Sequence, residues 1–108
     1  MSLVTFPSKI SSEVISLSFN FLGSLQFGES INGANVTVVV SSGVDPNPSA
    51  MLAGGPTFTA NIASQDITGG VEGVIYTIVC TVTGTNSHTY VQTGQLAVIK
   101  SSNNYVSE

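Results

Sequence analysis

Apolar and polar residues alternate with a period of two over Ile15-Ser16-Leu17-Ser18-Phe19-Asn20-Phe21. This predicts a strand with one buried face, because successive side chains of an extended chain point to opposite sides. Val36-Thr37-Val38-Val39-Val40 is a β-branched run between the turn dipeptide Asn32-Gly33 and the breaker Ser41-Ser42-Gly43, and it predicts a second strand. Alternation returns over Thr57-Phe58-Thr59-Ala60-Asn61-Ile62, and a weaker run, Ala63-Ser64-Gln65-Asp66-Ile67, leads into the break Thr68-Gly69-Gly70. One strand or two are expected there. The strongest strand signal is Val74 to Thr83, with Tyr76, Ile78, Cys80 and Val82 on one face and Ile75, Thr77, Val79 and Thr81 on the other. After the turn-forming Gly84-Thr85-Asn86-Ser87, the stretch His88 to Ile99 closes an antiparallel hairpin. Either Leu96 and Val98 or Ala97 and Ile99 face inward.

Between these runs, Val44 to Pro56 carries Pro46, Pro48, Pro56 and Gly54-Gly55. Proline has no amide proton to give to a ladder, so loops around one short edge segment are expected. Six or seven short strands, breaks about every 8 to 12 residues and no helical period predict an all-β, immunoglobulin-like antiparallel β-sandwich of about seven strands. The body is expected over residues 14–99, with an N-terminal arm at 1–13 and a C-terminal tail at 100–108. Both ends are polar and unpatterned, and at least one is expected to serve as an assembly arm.

A chain of 108 residues is the usual size of one domain, with enough core for a sandwich without disulfide or metal. Its net charge of −4 leaves only Lys9 and Lys100 to meet phosphates, which argues against nucleic acid and against an anionic membrane surface. No apolar run approaches the roughly 20 residues of a membrane span, and residues 1–12 lack the pattern of a signal peptide. A soluble protein that folds in a reducing cytoplasm is expected, since Cys80 is the single cysteine and has no disulfide partner in the chain. Charged residues make up 7% of the chain, against about 25% in ordinary globular proteins, while Ser and Thr number 16 and 11. Drift in a hardy β domain accounts for such a surface. So does selection for extensive contact with neighbouring subunits, which then costs little charge desolvation.

Candidate chemistry is sparse. His88 is the single histidine, expected in a hairpin turn, and Cys80 lies on the Tyr76 face, where a small thiol is core filler; a Cys80–His88 pair would be needed for thiol chemistry. The acids Glu13, Glu29, Asp45, Asp66, Glu72 and Glu108 lie mostly at breaks or termini, and no two share a strand face at close spacing. Asp45, Asp66 or Glu72 with loop carbonyls could gather calcium, but no acidic cluster with such spacing occurs, so solvated loop acids are expected. Gly69-Gly70-Val71-Glu72-Gly73 lacks the lysine and hydroxyl of a phosphate loop and reads as a turn. Asn35-Val36-Thr37 fits the glycosylation pattern by chance. No catalytic, cofactor-binding or metal-ligating residue is assigned.

Thr68-Gly69-Gly70-Val71-Glu72-Gly73-Val74-Ile75-Tyr76-Thr77-Ile78, followed by Thr81-Val82-Thr83 and Leu96-Ala97-Val98-Ile99, resembles a family of small phage structural proteins. These are immunoglobulin-like fiber-tail adaptors or minor virion components. Phe27-Gly28-Glu29-Ser30-Ile31 looks like that family's Gly-Asp/Glu-Ser/Thr-Ile turn, and Val36 to Val44 takes the place of its next strand. The likeness covers roughly residues 14–99. It departs at Phe19-Asn20-Phe21-Leu22-Gly23, where the family often carries an Asp and an aromatic. Tyr76 opens its strand like a tyrosine-corner residue.

The resemblance implies a non-enzymatic component of a bacteriophage virion at the neck, tail or fiber junction. It would need no cofactor, have other virion proteins as partners and act as a homo-oligomeric ring. The rival reading is a bacterial adhesion or carbohydrate-binding module, with Val44 to Pro56 as its ligand loop. A small thiol or histidine hydrolase ranks third.

Overall fold

The computed structural model describes residues 3–99, and for Leu3 and Val4 the backbone alone. The expected tail at 100–108, with Lys100 and Glu108, lies outside the described residues. The chain is all-β. Its strands are β1 (Leu3–Thr5), β2 (Lys9–Ile10), β3 (Ile15–Asn20), β4 (Ile31–Ser42), β5 (Leu52–Phe58), β6 (Ile62–Ile67), β7 (Ile75–Gly84) and β8 (Thr89–Ile99). One turn of 3-10 helix, Pro48–Met51, precedes β5. Two sheets form. The larger runs β1-β8-β7-β4, with β2 also on β8, and the smaller runs β3-β6-β5.

Alternation decides what each strand buries. Leu17 and Phe19 from β3, Val36 and Val38 from β4, and Tyr76, Ile78, Cys80 and Val82 from β7 join one core between the sheets. On β8, Leu96 and Val98 point inward while Ile99 is exposed, which decides between the two faces left open by the sequence. Each fully buried side chain of this kind contributes roughly 1.5–3 kcal/mol from apolar area removed from water.

Three segments differ from the expectation. Asn32-Gly33 is not a turn: β4 begins at Ile31, and the dipeptide sits at a register shift between Ile31 and Gly33. A glycine inside a strand marks a bulge as readily as a turn. Second, the alternation from Thr57 to Ile62 crosses two strands. β5 ends at Phe58, and the weaker run becomes β6, the central strand of the small sheet. β5 itself passes through Gly54-Gly55-Pro56, tolerable because it is an edge strand whose register breaks between Ala53 and Thr57.

Third, strands β1 and β2 lie within the segment expected as an arm and pair in parallel with β8, Thr5 opposite Gln95 and Lys9 opposite Val98. Four residues on one side therefore span three on the other. The slack falls at Phe6-Pro7-Ser8. Phe6 leans over Gly94, where any Cβ would run into its ring, and packs edge-on against Phe19 with centroids 5.4 Å apart. The flank of the core beside β8 is closed this way.

Candidate functional site

Two clusters of polar side chains mark opposite ends of the β4–β7 pair: Ile31 faces Gly84 at one end and Ser42 faces Ile75 at the other. At the first end, which we term the loop pole, three connections converge. The loop between β3 and β4 meets the β5–β6 turn where the Phe21 amide bonds the Asn61 carbonyl (2.8 Å) and the Ile31 amide that of Ala60 (2.8 Å). It meets the β7–β8 turn through the Thr85 amide on the Ser30 carbonyl (2.8 Å) and the Ser30 amide on the Thr85 hydroxyl (3.2 Å).

Glu29 is the centre of this pole, and its side chain is fully covered. One oxygen accepts from the Gln26 amide (3.1 Å) and the Tyr90 hydroxyl (2.7 Å); the other faces His88 Nδ1 at 3.3 Å. The Gln26 amide first, then the Tyr90 hydroxyl, hold its carboxyl below the usual carboxylate range, with burial opposing and His88 assisting. Hydrogen bonding to the same carboxylate pushes the Tyr90 phenol up. The carboxylate rests directly on Gly84, whose missing side chain makes the room. One acid thus ties the loop from Phe21 to Ser30 to the hairpin.

At the opposite end, the corner pole, Tyr76 is buried, accepts the Val71 amide on its hydroxyl (2.8 Å) and donates to Asp45 (2.7 Å). Burial raises its pKa. This is the geometry of a tyrosine corner: a hydroxyl at the start of a strand fixing the backbone a few residues upstream. Lys9 is buried beside it and donates to the carbonyls of Gly69 (2.7 Å), Ile10 (2.9 Å) and Ser11 (3.2 Å). Burial lowers its pKa, with Glu13 opposing. Gly70 has φ +101°, and a Cβ there would stand 2.8 Å from Val98 Cγ2, so this corner admits glycine alone.

Tyr76→Phe removes one hydroxyl and strands two partners, the Val71 amide and Asp45. A loss of about 1–3 kcal/mol is expected in urea melts, with the slope m unchanged; a variant as stable as the parent would refute the corner's role.

The structure does not bring Cys80 to His88. Cys80 is buried opposite Gln92, four residues along the hairpin from His88 or about 13 Å at the rise of a strand, and His88 meets Glu29 instead. Burial pushes the Cys80 thiol up to about 11. Native protein at pH 8 is expected to leave an added maleimide unreacted for hours and to react at once in denaturant; fast native labelling would contradict this.

Asp45 is engaged by Tyr76, while Asp66 and Glu72 stand exposed. Among the described residues no group of three His, Cys, Asp or Glu could hold a metal ion. Asn35-Val36-Thr37 lies inside β4, with Val36 in the core. Glu29 and Lys9 were not singled out by sequence. Glu29 had a signal in the Gly-Glu-Ser-Ile turn ahead of a strand; Lys9 had none.

The fold and its two clusters define a two-sheet, all-β module whose buried polar groups fasten its own loops and its N-terminal strands. Compared with known families, the chain matches over residues 9–97 the family described as podophage GP4 fiber-tail adaptor protein gp77, and it belongs to that family. It is a structural component of a bacteriophage tail and hence of the virion. No curated protein matches the chain.

Proposed function

We propose that this chain is an immunoglobulin-like, non-enzymatic assembly module, present as repeated copies in a ring at the junction of tail and fiber. It acts through contacts with its own copies and with other virion proteins, after synthesis in the host cytoplasm. The observation that carries this reading is the extent of the family match. It begins at Lys9, which fastens the N-terminal strands, and ends at Ala97 in β8, so it takes in the body that both clusters hold together.

The topology supports an immunoglobulin-like assignment. β4, β7 and β8 stand as the C, F and G strands of such a domain and β3, β6 and β5 as B, E and D, with Tyr76 at the corner entering F. The first strand lies on the G edge.

The surface supports assembly. β4 is the outer strand of the larger sheet and carries neither a charged residue nor a proline over Ile31–Ser42. Natural sheets often guard such an edge with lysine or proline, and a strand that carries neither suits pairing with another chain. Many copies joined weakly reach a strength that one contact lacks.

Light scattering on purified protein across a concentration series tests the ring. A closed oligomer of fixed mass is expected at high concentration, with Val39→Lys, exposed on β4, shifting it to monomer. A strict monomer over the whole series contradicts self-assembly of the free chain.

A further inference from the structure

The segment from Thr5 to Ile10 fits the rest of the fold as a key fits a slot. Its Phe6 amide bonds the Gln95 carbonyl (2.9 Å), and the Phe6 ring takes the room left by Gly94 and meets Phe19 edge-on. The Lys9 ammonium donates to the Gly69 carbonyl at 2.7 Å while holding the carbonyls of Ile10 and Ser11, so it reaches the slot braced by its own segment. With the parallel ladder to β8, these contacts specify one sequence in one register.

The connector that follows, Ser11 to Val14, is built differently. Its bonds are local: the Glu13 amide on the Ile10 carbonyl (2.9 Å) and the Ile10 amide on Glu13 Oε1 (2.8 Å). Ser12, Glu13 and Val14 are exposed. The connector crosses from the larger sheet to the smaller, since Ile10 lies beside Ile99 and Ile15 beside Ile67. Packed sheets stand about 10 Å apart, whereas an extended chain from Ile10 to Ile15 reaches about 17 Å. The surplus length is folded into the turn, and opening that turn lets the segment reach a slot beyond its own domain.

We propose that copies of this chain exchange their N-terminal strands: β1 and β2 of one copy lie along β8 of the next, in the register they hold on their own β8. This rests on the ring reading above and names one of the contacts that close the ring. The occupant of the slot is fixed by what fits it, Phe6 over Gly94 and Lys9 on Gly69, and so is a second copy of the same sequence. Exchange replaces each contact of the segment with an identical one and gives up only the bonds of the turn. Copies held side by side present their slots at effective concentrations on the order of millimolar, which favours the crossing. Passed head to tail from copy to copy, the strand makes the heterologous contact from which rings are built. Surface ion pairs add little to such a contact, and with 7% charged residues the chain has few to form. Exchange places a buried ammonium and an aromatic pair across it instead.

Paired cysteines read which chain supplies the segment. Thr5 and Gln95 stand opposite one another in the ladder, at the roughly 4.8 Å strand spacing that a disulfide spans, and neither is buried, whereas the native Cys80 is. Thr5→Cys and Gln95→Cys chains, one of them tagged, are co-expressed, purified together and oxidised at the concentration used for light scattering. A covalent pair with one chain of each kind is expected, twice the mass of a single chain, and no such pair from either variant expressed alone. Thr5→Cys/Gln95→Cys in one chain is expected to give a covalent series of several copies.

A mixed sample that stays single-chain while the double variant closes on itself overturns the proposal, because the segment then stays on its own domain. So does a failure of both to cross-link, since the segment would not lie along β8 at all. A closed oligomer by light scattering with no bond between chains overturns exchange and leaves the ring reading standing; a strict monomer overturns both.

Discussion

Glu29→Ala is expected to lower the melting temperature by on the order of 10 °C, although the residue sits in a loop. The carboxylate accepts from the Gln26 amide and the Tyr90 hydroxyl and faces His88, and its side chain is wholly covered. Removing it leaves the amide and the hydroxyl with no acceptor in a covered site, and an orphaned donor costs more than a made bond gains. Gly84→Ala should do similar damage from the other side, since a Cβ would stand 2.7 Å from Glu29 Cδ and force the carboxylate out. The two losses should not add: once Glu29 is gone, the atoms that the extra methyl would meet first are gone with it.

The effect also has a pH signature. The folded-state pKa of Glu29 lies below its unfolded value, so its contribution is full above the ordinary carboxylate pKa of about 4.3 and fades as pH falls through the folded value. Melts of parent and Glu29→Ala should therefore draw together as pH falls below the ordinary carboxylate range and stay apart at pH 6. A constant gap would contradict the brace.

Lys9→Met is the second large effect, about 2 kcal/mol of stability. Methionine fills a similar volume but leaves the carbonyls of Gly69, Ile10 and Ser11 without the ammonium that gathers them. The consequence should be local before it is global. β1 and β2 hold to β8 through short parallel ladders, so their release exposes the flank that Phe6 closes against Phe19. Hydrogen exchange reads this at the Phe6 amide, which bonds the Gln95 carbonyl at 2.9 Å. Its exchange should quicken at least about 10-fold while β7 in the middle of the sheet keeps its protection. Unchanged protection at Phe6 would mean that the N-terminal strands do not depend on Lys9.

These two residues also mark where sequence reasoning reached its limit. Strands β3, β4, β7 and β8 are legible because each is long enough for a period of two to stand out, and the Tyr76 face of β7 is the one that enters the core. β1 and β2 were illegible for the opposite reason: a strand of two or three residues has no period, and its partner β8 lies at the far end of the chain. Asn32-Gly33 misled because the same dipeptide serves a turn and a bulge. Of the sites, Tyr76 was readable from its place after a glycine corner. A buried acid such as Glu29 is not, since a lone carboxylate at a break looks solvated until the hairpin that brings Tyr90 and His88 is folded over it.

An electron cryomicroscopy reconstruction of purified virions, focused on the place where fibers join the tail, tests the central claim most directly. A ring of copies of this two-sheet domain is expected there. A junction built without the chain, or particles from which it is absent, would contradict the account.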